Sequence, residues 1–122
     1  MENFTLHLVL KSQWYDMIKN GIKEEEYREI GQYWFTRIFR KLKNDHFEVF
    51  YNDKKKVTNI ITYPDFKTNF TQVCFHKGYT SETITFEIKD ISVRTGNPEW
   101  GAIRDKRYIV ISFENTFKKN QS

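Results

Sequence analysis

The chain has 122 residues, a length that fits one domain around a single modest core. Its formal charge of +4 permits phosphate or nucleic-acid partners without requiring them, because so small a basic excess also serves as ordinary solvated surface. Cys74 is the only cysteine, which excludes an intrachain disulfide; with no apolar run of spanning length and no basic-then-apolar leader, a cytoplasmic location away from membranes is expected.

Phe4, Leu6, Leu8 and Leu10 alternate with Thr5, His7 and Val9, which predicts a first strand. Ser12 is placed to cap a short helix with Trp14, Met17 and Ile18 on one face and Gly21 closing it. A charged strand follows from about Lys23 to Glu29. The spacing over Gln32 to Lys43 predicts a helix, with Trp34, Phe35, Ile38, Phe39 and Leu42 as its apolar stripe. Arg37, Arg40, Lys41 and Lys43 lie off that stripe and read first as a solvated back, second as a phosphate-facing surface.

Phe47 to Tyr51 and Val57 to Tyr63 flank Asn52-Asp53-Lys54-Lys55-Lys56 and read as a hairpin with a basic tip, ended by Pro64. Thr71 to His76 predicts another strand, and His76 to Tyr79 a turn. Thr83 to Val93 is the longest predicted strand. Its apolar residues change phase, from even positions (Ile84, Phe86, Ile88) to odd ones (Ile91, Val93), and a β-bulge near Lys89-Asp90 restores one inward face. Thr95 to Pro98 is a turn cluster, and Tyr108 to Phe113 the last strand. This order suggests a small, partly open barrel with helices packed on it.

The charged strand holds the main candidate site. Alternation puts Glu24, Glu26 and Arg28 on one face and Glu25, Tyr27 and Glu29 on the other, so at least one face must meet solvent, a ligand or compensating charge. Lys23 is a candidate for holding a phosphate, or for acting as a base if burial lowers its pKa; the competing reading is an ion pair with a neighbouring glutamate. Glu26 is suited to accept from the exocyclic amine of a base, and Arg28 to grip a phosphate, with structural pairing of the two as the alternative. Tyr33, Tyr79 and Trp100 are candidate stacking surfaces as well as candidate core residues. Lys77 with Gly78 can meet a phosphate or simply make a turn. His7, His46 and His76 are scattered along the chain without metal-ligand spacing, so neither a metal nor another cofactor is expected.

Taken in order, Asn20-Gly21-Ile22-Lys23, Glu26-Tyr27-Arg28, Phe75-His76-Lys77-Gly78-Tyr79, Gly96-Asn97-Pro98-Glu99-Trp100-Gly101 and the closing Tyr108-Ile109-Val110-Ile111 strand resemble the ASCH domain of the PUA-like superfamily. The likeness is to the small single-domain bacterial and phage type. It covers residues 1–122 as one domain, apart from the extra hairpin at about 47–69. The resemblance implies an α+β fold, a PUA-like small mixed β-barrel with two packed helices and an inserted β-hairpin. It also implies a charged, aromatic cleft that binds RNA, a nucleotide or a modified nucleoside. One branch of the family hydrolyses the amide of acetylcytidine with a Lys, a Thr and a Glu. Lys23 matches that Lys, but Glu26 stands where the Thr belongs, so the nucleophile position is changed.

Three functions follow as expectations. The first is an RNA- or nucleotide-binding module using Lys23, Glu26 and Arg28, with Lys77, Tyr79 and Trp100 contributing. The second is an amidohydrolase of a modified nucleoside with Lys23 and Glu26 as catalytic residues. The third is a protein-interaction domain.

Overall fold

The computed structural model describes residues 4–38, 40–41, 66–68 and 70–118. Its strands are β1 (Thr5–Leu10), β2 (Glu25–Arg28), β3 (Arg40–Lys41), β4 (Phe66–Lys67), β5 (Gln72–Lys77), β6 (Thr83–Thr95) and β7 (Arg107–Phe113). Helix α1 (Ser12–Lys19) joins β1 to β2, α2 (Gln32–Ile38) follows β2, and a 3-10 turn occupies Pro98–Trp100. Five strands make one sheet in the order β1-β5-β6-β7-β2, while β3 and β4 pair separately. β1 and β5 are parallel and the other pairs antiparallel. The sheet curls into a half-barrel, giving the mixed α+β, barrel-like architecture expected from the sequence.

The curl follows from β6. Its first half pairs with β5 and its second half with β7, and the register shifts between Ile88 and Asp90. The bulge sits where the apolar phase changes, so Ile84, Phe86, Ile88, Ile91 and Val93 all pack on one core. Leu6, Leu8 and Leu10 of β1, Val73 and Phe75 of β5, and Ile109, Ile111 and Phe113 of β7 fill the same core. Tyr15 and Ile18 of α1 and Ile38 of α2 cover it. Phe4, expected to extend the inward set, precedes the strand and is half exposed.

A second, smaller core lies on the opposite face of β7 and β2, where Tyr27, Tyr108 and Val110 meet Ala102 and Trp100. The loop from β6 to β7 can lie this close because Gly96 has no side chain. A Cβ there would stand 2.5 Å from the Tyr27 ring and 2.7 Å from Ala102 Cβ.

Two sequence expectations are corrected. Ser12 does not cap α1: Lys11 occupies the cap position in extended conformation without a side-chain cap bond, and its carbonyl accepts from the amides of Trp14 and Tyr15. The second helix ends at Ile38 rather than Lys43, because Arg40 and Lys41 enter antiparallel pairing with Lys67 and Phe66. That long-range backbone pairing outweighs the local periodicity. The expected hairpin strands, Phe47 to Tyr51 and Val57 to Tyr63, lie outside the described residues. No helix among the described residues is long and apolar enough to cross a membrane.

The histidines also depart from expectation. His7 and His76, taken from the sequence as scattered, meet across the β1–β5 pair with Nδ1 of one 2.9 Å from Nε2 of the other. Parallel pairing of segments far apart in sequence brings them together.

Candidate functional site

The chain turns sharply between α1 and β2. Ile22 and Lys23 both donate their amides to the Met17 carbonyl, and the buried Asn115 amide donates to the Ile18 and Lys23 carbonyls at 2.9 and 2.8 Å. This clamp directs the Lys23 side chain inward, where it is 1% exposed. Its ammonium lies 3.0 Å from Glu26 Oε1, donates to the Trp100 carbonyl, and stands over the Trp14 and Tyr27 rings at 5.2 and 5.0 Å. Burial pushes the Lys23 pKa below the ordinary lysine range, although the Glu26 carboxylate pulls the other way.

β2 then separates its charges by alternation. On one face Glu26, itself buried, accepts from Arg28 Nη1 through its second oxygen. The Arg28 guanidinium also donates to the carbonyls of Tyr27 at 2.8 Å and Val9 at 3.3 Å, and stacks 5.1 Å from the Trp34 ring. On the other face Tyr27 donates to Glu25 at 2.8 Å and accepts from the Asn97 amide at 2.9 Å. Burial raises the Tyr27 pKa and so keeps the phenol protonated as a donor. Burial also tends to raise the Glu25 pKa, but hydrogen bonds from Arg94 and Tyr27 and the Arg94 charge outweigh it and hold the carboxyl below its usual range.

The loop after β6 supplies the facing wall. Asn97 accepts from the Glu99 amide at 2.9 Å and starts the 3-10 turn, and Gly101 ends it in the left-handed region at φ 106°. A side chain at Gly101 would also press on the Trp14 indole, with a Cβ 3.1 Å from its ring. Ile103 donates its amide to the Tyr108 hydroxyl at 3.0 Å.

Between these walls lies a cleft of about 490 Å³. Val9, Leu10 and Lys11 at the end of β1 form one side, Glu26 to Glu29 of β2 another, and Trp14, Trp100, Gly101, Ile103 and Tyr108 complete it. β1 and β2 are the two ends of the sheet order, so the cleft occupies the open seam of the half-barrel. Arg28 spans that seam through its bond to the Val9 carbonyl.

Of the residues singled out in the sequence, Glu26, Arg28 and Trp100 line this cleft, with Lys23 directly behind Glu26. Lys77 and Tyr79 stand outside it. Lys77 pairs with Asp16 at 3.1 Å over the Tyr15 ring, and Tyr79 is fully exposed on the turn after β5. Tyr33 is also exposed on α2 and outside the cleft. Sequence reasoning missed Trp14 and Tyr108 as cleft walls. Trp14 falls in the apolar face of a short helix and Tyr108 at the start of an apolar strand, and no local signal in the sequence set either apart from packing.

The arrangement presents an acceptor and a donor side by side. Glu26 keeps lone pairs on oxygens already oriented by Lys23 and Arg28. Arg28 spends three of its five N–H groups on partners among the described residues. Glu26 is committed to two cations, which makes it a poor metal ligand. The lining charges balance, with Lys11 and Arg28 against Glu26 and Glu29. Comparison with protein-family models, curated proteins and solved structures finds no match.

Proposed function

We propose that this chain is a binding module that takes a nucleobase-containing ligand, as a free nucleoside or nucleotide or as an unstacked base of RNA, into the seam cleft. The observation that carries this reading is the pairing of buried Glu26 with partly buried Arg28 at the edge of a cleft flanked by the Trp14, Trp100 and Tyr108 rings. About 300–1,000 Å³ is the usual range for small-ligand sites, and this cleft falls within it. Aromatic walls suit a planar base, since stacking contributes ~1–3 kcal/mol per base. The carboxylate accepts from an exocyclic amine while the guanidinium donates to a neighbouring ring nitrogen or carbonyl, an edge that cytosine presents. The ASCH and PUA-like resemblance of the sequence points the same way.

The balanced charge of the cleft favours reading a base over gripping a phosphate chain. The Lys23 ammonium is held by Glu26 and the Trp100 carbonyl behind the cleft wall, which favours binding over amide hydrolysis. In this reading Lys23 positions Glu26 and does not touch the ligand.

A thermal-shift series with the four nucleosides, their monophosphates and short single-stranded RNAs, each at low and moderate salt, tests the proposal. A cytidine-dependent rise in Tm that persists with salt is the expected result, since a ligand of the folded state stabilises it by mass action. A shift with RNA alone, lost as salt rises, assigns the binding to phosphate contacts elsewhere on the surface. No shift with any of them refutes the reading and turns attention to a protein partner.

A further inference from the structure

The outward face of β1 and β5 carries a side-chain cluster that does not line the cleft, although His76 stands opposite the cleft-lining Val9. Leu6, Leu8 and Leu10 take β1 into the core, so His7 points outward. In the parallel pair His7 stands opposite Cys74, and His76, two residues on, shares the face of Cys74. His7 Nδ1 and His76 Nε2 are 2.9 Å apart, and Cys74 Sγ is 3.7 Å from the same Nε2. One donor atom from each residue lies within 4.8 Å of the others.

We infer that His7, Cys74 and His76 form a three-ligand site for a borderline-soft first-row cation of the zinc(II) class, with water as fourth ligand. Tetrahedral zinc, ~2.0–2.1 Å from imidazole nitrogen and ~2.3 Å from thiolate, holds its ligand atoms roughly 3.3–3.6 Å apart. The observed separations lie within a rotamer adjustment of that. Two imidazoles and one thiol select zinc, cobalt or copper over magnesium and calcium, which require oxygen. The ligands stand on neighbouring strands of a packed sheet, so their spacing is set by backbone pairing. Cys74 is buried and His7 exposed, which puts the thiol at the base of the site and leaves an open side for entry and for the water. The β6 residues next in register, Thr83, Thr85 and Glu87, include no cation to repel the ion.

The protons balance simply. Imidazole binds metal as the neutral ring, and in that form one of the two nitrogens 2.9 Å apart carries the hydrogen between them. Coordination uses the lone pairs of both nitrogens, so that hydrogen moves to the other nitrogen of its own ring. The thiol gives its proton to solvent as the metal–sulfur bond forms, releasing one proton per ion.

The test titrates the whole chain, stripped with a chelator and kept reduced by a non-thiol reductant, with Co²⁺ and then Zn²⁺. The expected result is one ion per chain, a thiolate-to-cobalt charge-transfer band that zinc displaces, and release of about one proton per ion. His7→Ala, at an exposed position, should fold normally and weaken affinity by at least ~10-fold, the lower end of what loss of even an outer partner typically costs. Cys74→Ser should abolish the band. If cobalt binds without that band, or if His7→Ala and His76→Ala both retain the original affinity, the ion is an adventitious surface ligand and the inference is overturned. Binding too weak to detect at millimolar metal also overturns it.

Discussion

Lys23 is the residue on which the cleft depends most, and its chemistry separates a structural cation from a catalytic one. Its ammonium is 1% exposed and holds Glu26 and the Trp100 carbonyl together, joining β2 to the loop after β6. Removing one partner of a buried pair leaves the other uncompensated, so Lys23→Ala should destabilise the fold by about 3 kcal/mol in chemical denaturation. Lys23→Met should cost less, because it keeps the stem packed between the Trp14 and Tyr27 rings while Arg28 still pairs with Glu26. The pH dependence has a definite sign. Because the folded pKa is depressed, the cost of burying the ammonium is fully present below that pKa. It is relieved as pH rises through it toward the unfolded value of ~10.4. The stability of the native chain relative to Lys23→Met should therefore rise with pH across that window. A gap that stays flat or narrows would show that the Lys23 pKa is not depressed.

Among the elements, local pattern carried the reading furthest where the pattern was itself the cause. The alternation of Leu6, Leu8 and Leu10 and the phase change in β6 record which side chains face the core, so β1 and the bulge between Ile88 and Asp90 were legible. The opposed faces of β2 were legible for the same reason: Glu26 pairs with Arg28, and Glu25 with Tyr27. The early end of α2 was not, because it is set by pairing with a remote segment. Parallel pairing of β1 with β5 hid the meeting of His7, Cys74 and His76 from any local reading. Trp14 and Tyr108 looked like core residues because half of each role is packing. One element retains an unmet cost: among the described residues, Ser92 Oγ on β6 is a buried side-chain polar atom without a hydrogen-bond partner. Ser92→Ala removes that unpaired hydroxyl and should stabilise the protein by about 1 kcal/mol in urea denaturation, whereas a loss of stability would reveal a partner.

At the scale of the whole molecule, the site exists because the sheet does not close. Five strands curl until β1 and β2 face one another, and the gap is bridged by Arg28 to the Val9 carbonyl while the rest of the seam stays open as the cleft. Arg28 thus ties the seam and supplies a donor to the proposed ligand. Arg28→Ala should both lower Tm and speed amide exchange at the β1 end of the seam, while residues on the far side of the sheet stay protected. The most direct test of the central claim, that this seam reads a base, is titration of cytidine into the native protein followed by tryptophan fluorescence, with Trp100→Ala and Glu26→Gln alongside. Saturable quenching that is insensitive to salt and weakened by roughly 5- to 150-fold in each variant is the predicted result, corresponding to about 1–3 kcal/mol for one stacked or paired contact. Quenching unchanged in both variants, or none at millimolar nucleoside, would contradict it.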